Sequence, residues 1–200
     1  QQLTAATAPT IAFADTISGS LAAIETAASN ANNTVDKNGD WDLFNYPHGV
    51  IVQKLATCKN NLQHRIQVGR YEESELGVYL GEDVKIGPHV VFDTSEGPVV
   101  LDSNVLAGPF SYFRGPVYVG PNSKISERAA IKDSVAIGHT CKIGGEVEGA
   151  VIETYTNKQH HGFLGHAYLG SWINLGAGTC NSDLKNTYGT VNMIYGDQKV

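Results

Sequence analysis

An aliphatic or aromatic residue recurs every six positions from about residue 78, usually followed by a small or polar one, and no other feature constrains this chain as tightly. The first set is Leu80-Gly81, Ile86-Gly87 and Phe92-Asp93. The second runs Leu101-Asp102, Ala107-Gly108, Phe113, Val119-Gly120, Ile125, Ile131, Ile137-Gly138 and Ile143-Gly144. The third is Val151, Asn157, Phe163, Leu169-Gly170 and Leu175-Gly176. Two residues ahead of most of these stands a small or β-branched side chain, among them Val78, Val84, Val90, Val99, Val105, Ser111, Val117, Ser123, Ala129, Val135 and Cys141. Each hexad reads as one short strand and a turn, and three hexads close a triangular coil of about eighteen residues. The large residue points inward, and its neighbour turns the corner, where glycine costs least. One coil cannot bury its own face, so such a chain is stable only as a stack. The expected fold class is all-β: a left-handed parallel β-helix over residues 71–200, preceded by a short α-rich linker and cap over residues 1–70.

Composition agrees with a turn-rich β structure: 22 glycines in 200 residues, 8% aromatics and 42% hydrophobics. The formal charge of −6 supplies no basic footprint, so nucleic acid is not an expected partner. No run approaches the roughly 18 apolar residues of a membrane span, and no signal-peptide pattern opens the chain, so a soluble protein without a membrane partner is expected. Three widely spaced cysteines, Cys58, Cys141 and Cys180, form no zinc or redox motif and suit a reducing cytoplasm.

The period breaks twice. Nine residues separate Phe92 from Leu101, which places an insertion around Thr94-Ser95-Glu96, and eight separate Ile143 from Val151 across Gly144-Gly145-Glu146. Insertions in solenoids map to loops, plain or binding. Ahead of the repeats, Ser20–Ser29 reads as helix, 30–40 as a polar loop and Val50–Leu62 as an amphipathic helix. Asp36–Asp40 resembles a calcium loop, but Trp41 stands where that loop needs glycine. Asn32-Asn33-Thr34 is a sequon that lacks a secretion signal to give it meaning.

Chemistry concentrates in Thr154–Tyr188, where His160, His161 and His166 crowd one stretch and Asn157 takes an inward-type position. Polar residues inside a repeat are costly unless paired or open to a cleft, so local rule-breaking favours a site. The run H-x-x-F-L-G-x-A-x-L-G-x-x-x-N-L-G-A-G-T, from His160 to Thr179, resembles the acetyltransferase domain of GlmU-like enzymes. Those enzymes join a glucosamine-1-phosphate N-acetyltransferase to a nucleotidyltransferase of nucleotide-sugar biosynthesis. The resemblance extends over roughly Trp41 to Tyr188 and is most specific in its last forty residues.

The resemblance implies that His160 is the general base that deprotonates the sugar amine, with His161 its nearest competitor. It implies a substrate site including Phe163, which stands in place of a sugar-contacting Tyr and keeps only stacking, together with Asn174 and Asn181. Lys158 and Lys185 could neutralise a sugar phosphate, or sit solvated on corners. Glu148 falls near the position of the family's phosphate-binding Lys, and an Arg partner falls near Arg128. The family further implies acetyl-CoA as acyl donor, Mg2+ for the nucleotidyltransferase domain alone, and a homotrimer with sites in the clefts between helices. Further coils that hold the donor, and the nucleotidyltransferase domain, fall outside these 200 residues. The chain is therefore expected to be the middle of a larger enzyme, truncated at its C-terminal end.

Two other readings stay open. The β-helix could be a non-catalytic oligomerisation or regulatory module, which the Glu148 and Phe163 departures favour. It could instead be a metal-dependent enzyme like the γ-class carbonic anhydrases that share the fold, with His139, His160 and His166 as ligands, although Gly144 stands where a paired His is expected. No metal site is assigned. Gly176-Ala177-Gly178-Thr179 reads as a tight coil corner, not a nucleotide loop.

Overall fold

A computed structural model describes residues 48–181 and 184–199. The expected helix at Ser20–Ser29, the loop at 30–40 and the sequon at Asn32 lie outside those residues.

The repeats wind into the expected left-handed parallel β-helix. Short strands stack along three flanks into a seven-stranded sheet and two five-stranded sheets, each strand except the first of the seven pairing in parallel with its equivalent one coil away. Register shows what each flank turns inward. The first sheet stacks Leu80, Leu101, Val119, Ile137, Ile152 and Leu169. The third stacks Phe92, Phe113, Ile131, Val147 and Leu164. The second begins in the same way with Ile86, Ala107, Ile125 and Ile143, and then places Lys158 in the stack. Polar side chains inside the coil are satisfied locally: Ser111 Oγ donates to the Gly108 carbonyl (2.7 Å) and Ser123 Oγ to that of Gly138 (2.9 Å).

Two expectations are corrected by this register. Val151, Asn157 and Phe163 do not point inward; their successors Ile152, Lys158 and Leu164 do. The break after Ile143 is also a contraction where an insertion was expected. Equivalent inward residues lie eighteen apart from Ala107 to Ile125 and from Ile125 to Ile143, but fifteen apart from Ile143 to Lys158. Glycines allow the short corners. Gly145 and Gly149 take φ of +70° and +55°, a region that side chains with a Cβ rarely adopt. At Gly144 a Cβ would come within 2.1 Å of the Gln159 carbonyl oxygen, so the two rungs close only over a glycine.

The helix α1 (Gly49–Val68) is longer than the Val50–Leu62 segment expected and lies along the outer face of the first sheet. Cys58 and Leu62 pack there against Val100, Tyr118 and Ala136, three residues in register on successive strands. Burial pushes the Cys58 thiol up to about 11, so it behaves as a small apolar side chain. A polar clasp closes the far end of the contact. Arg65 Nη1 donates to the Tyr118 hydroxyl (2.9 Å), and both Tyr118 and Tyr71 donate to Asp102 Oδ2 (2.8 and 2.9 Å). The strand Glu72–Glu75 runs antiparallel to Val78–Leu80 and covers the first edge of the same sheet. No helix among the described residues is long and apolar enough to cross a membrane.

Candidate active site

At the corner between the second and third sheets an open groove of about 460 Å³ is lined by Lys124, Ser126, Glu127, Arg128, Gly145, Gln159, His160 and His161. The coil period builds it. Lys124 stands on the outer side of the second sheet beside inward Ile125, and Lys142 and Asn157 follow it one rung at a time. Arg128 sits on the corner with φ +58°, its guanidinium 5.9 Å from the Phe110 ring below. The turn Gln159–Gly162 closes the groove from above. Both imidazoles are exposed, and His160 Nε2 lies 3.4 Å from the Gln159 side-chain amide, which can orient the ring by donating to it.

The next rung backs this turn. Gly178 N–H donates to the His161 carbonyl (3.0 Å), while the Thr179 hydroxyl and N–H return to the Gly176 carbonyl (2.8 and 3.3 Å). Gly176-Ala177-Gly178-Thr179 is therefore the tight corner expected of it.

Of the six residues singled out as catalytic or substrate-binding, His160 alone lines the groove. Lys158 is buried at 3% exposure, and its ammonium donates to the carbonyls of Gly144, His160 and Gly162 at 2.7, 3.0 and 2.8 Å. Desolvation lowers its pKa. Phe163 lies outside the coil, with its ring over Gly165 and its N–H donating to Cys180 Sγ at 3.3 Å. Asn174 continues the outer row above Asn157, as a single parallel bridge. Asn181 uses its amide as a strand uses its backbone: Oδ1 accepts from Gly165 N–H (2.9 Å) and Nδ2 donates to the Gly165 carbonyl (2.7 Å). Lys185 donates to the Thr190 carbonyl.

Sequence reading did not single out Lys124, Ser126, Glu127 or Gln159. Their signal lay in the coil period, since residues about one coil apart share a corner and Lys124 is eighteen residues before Lys142. Glu148 is engaged by Lys132, whose ammonium also reaches Glu146 (3.1 and 2.8 Å), and these pairs hold the Lys132 pKa up. His139 packs edge-on against Tyr155, on a different corner from His160. Among the described residues no group of three or more His, Cys, Asp or Glu is gathered to hold a metal ion.

No family model matches the chain. Curated proteins do. It is 28% identical over 149 residues to the bifunctional protein GlmU of Cupriavidus pinatubonensis, covering 72% of this chain and 31% of that one. Against the same protein of Synechococcus elongatus it is 32% identical over 155 residues, 65% of this chain and 34% of the relative. Against that of Azorhizobium caulinodans it is 33% identical over 112 residues, 52% and 23% of the two chains. The chain spans about a third or less of the length of these relatives. Over more than half of its own length, the chain is thus similar to the bifunctional GlmU proteins, and its β-helix is consistent with a hexapeptide-repeat acetyltransferase region.

Proposed function

We propose that the chain carries the acetyl-transfer chemistry of a GlmU-like protein, moving an acetyl group from acetyl-CoA to the amine of a sugar 1-phosphate, glucosamine-1-phosphate. The observation that carries this reading is the groove itself. It sets the exposed imidazole of His160 beside the cations Lys124 and Arg128, in a chain similar to GlmU. In this reaction the amine nitrogen bonds to the acetyl carbon, the C–S bond breaks, and coenzyme A leaves as thiolate. The nitrogen sheds a proton to the His160 imidazole as general base. A backbone N–H stabilises the tetrahedral oxyanion. Lys124 and Arg128 favour a dianionic phosphate on the same wall. The setting is nucleotide-sugar biosynthesis in the cytoplasm, and the working assembly is a homotrimer.

The test is an acetyl-CoA and glucosamine-1-phosphate assay on the protein, with and without His160→Ala. The expected result is measurable transfer that falls by about a hundredfold or more in the variant. Activity that survives the substitution removes His160 as base. A second reading, a β-helix that assembles a sugar nucleotidyltransferase without transferring acyl groups, is favoured by Glu148 being ion-paired to Lys132 where the family is expected to present a phosphate-binding Lys. Absence of any transfer by the wild-type protein supports that reading.

A further inference from the structure

Lys158 occupies a place that the earlier rungs of the second sheet give to Ile86, Ala107, Ile125 and Ile143. A cation inside a coil is tolerated only when its protons are accepted, and an ammonium has three. All three are accepted here, by the carbonyls of Gly144, His160 and Gly162. At 3% exposure, nothing of the ammonium is left to meet a ligand in the groove.

Two of those carbonyls belong to the turn that presents His160, and the third sits one rung below, at the contracted corner. The His160 carbonyl takes its hydrogen bond from Lys158, where a regular rung would use a ladder N–H. The space around the ammonium is closed from beneath: a Cβ on Gly145 would stand 2.9 Å from Nζ, 2.9 Å from the Gly162 oxygen and 3.0 Å from the His160 oxygen. The glycine corner and the lysine therefore fit one another, and both shape the same wall.

We infer that Lys158 is a positioning residue for His160: from inside the coil its ammonium ties the Gln159–Gly162 turn to the Gly144 rung and so sets the imidazole into the groove. The inference rests on His160 being the base proposed above. Lys158 then acts through backbone, and its removal loosens one turn while the solenoid persists.

Lys158→Met keeps the stem and deletes the donors. Amide hydrogen exchange at Gly144, Glu146 and Gly178, whose N–H groups donate to the carbonyls of Lys158, Gly162 and His161, is expected to quicken about tenfold or more, while the strands Val117–Val119 and Val135–Ile137 keep their protection. The kcat for acetyl transfer is expected to fall about tenfold or more with KM within about twofold, as for a misplaced base. Ile125→Val, at the equivalent position two rungs earlier, is the control for a general loss of core packing and is expected to change neither the turn nor kcat. Unchanged exchange at those three amides in Lys158→Met, or exchange that rises equally along the whole coil, overturns the inference. If Lys158→Met does not fold, Lys158→Gln is measured in its place, with locally raised exchange as the expected result and uniform exchange as the overturning one. The exchange readout needs no turnover. An inactive wild type, or an active His160→Ala, therefore removes the acetyl-transfer reading, and the strut still stands or falls on exchange.

Discussion

Lys54 of the flanking helix donates its ammonium to the carbonyl of Ala150 at 3.2 Å, a side chain 1% exposed reaching a rung 96 residues further along. Burial lowers its pKa from 10.5 to about 8, partly offset by Cys58. The unfolded chain therefore binds more protons than the folded one between those values. Stability gains with rising pH across that window; below about pH 8 it no longer varies with this group, and the full cost of burying the charged ammonium is present. The span corresponds to roughly 3 kcal/mol. Lys54→Met is expected to raise stability at pH 7 by on the order of 2 kcal/mol and to flatten the rise above pH 8. The Ala150 oxygen stays satisfied in that variant because Ala136 N–H also donates to it (3.0 Å). Urea unfolding of both proteins from pH 7 to 10.5 measures the difference, and parallel curves would discard the assignment.

Asp102 gathers the other end of the helix contact. Its Oδ2 accepts from Tyr71 and Tyr118, and its Oδ1 from the Ser103 N–H (2.7 Å). Asp102→Ala strands two partly buried phenols and the Arg65 cation, and is expected to cost about 2–3 kcal/mol. Tyr118→Phe keeps the ring 4.2 Å beneath the Arg65 guanidinium and is expected to cost about 1 kcal/mol. Midpoints in guanidinium give the order; equal losses would mean that the Tyr118 hydroxyl alone, and not the gathering of partners at Asp102, carries the clasp.

Gly145→Ala sets a Cβ at φ +70° against the Lys158 ammonium and two carbonyls. The expected loss is about 2 kcal/mol, read as a drop in Tm. Gly170→Ala is the contrast, since a Cβ there meets nothing within 4 Å. A loss as large at Gly170 as at Gly145 would contradict the crowding.

Arg128→Ala removes a cation from the groove wall and leaves the stacked interior untouched. With acetyl transfer as the reaction, KM for the sugar phosphate is expected to rise about tenfold, against a smaller change in kcat. Steady-state kinetics at fixed acetyl-CoA decide it; an unchanged KM would place the phosphate elsewhere.

Much of this architecture was legible in the sequence because the repeat supplies redundant information. From Leu80 to Ile143 the recurrence put the large residues on the inward side, as the stacked registers show. The frame then failed for one coil and recovered at Leu169. The cause is physical. A corner closed by glycines at positive φ drops residues without leaving a hydrophobic signal, and a lysine in the inward row looks like an outward one until its acceptors are seen. His160 was legible through its surrounding run. Its neighbours in the groove were not, since Lys124 and Gln159 meet only when coils of unequal length stack. Lys54 lies within a segment read only as an amphipathic helix, and only the packing of that helix on the sheet revealed its burial.

The antiparallel strand Glu72–Glu75 gives the stack a direction. Three exposed glutamates meet any chain that approaches the first edge of the sheet, and like charge together with reversed polarity discourages further pairing there. In polymer terms one flank of the solenoid is a template blocked at its first end, while Lys85–Ile86 and Val91–Asp93 leave the first edges of the other two flanks unpaired among the described residues.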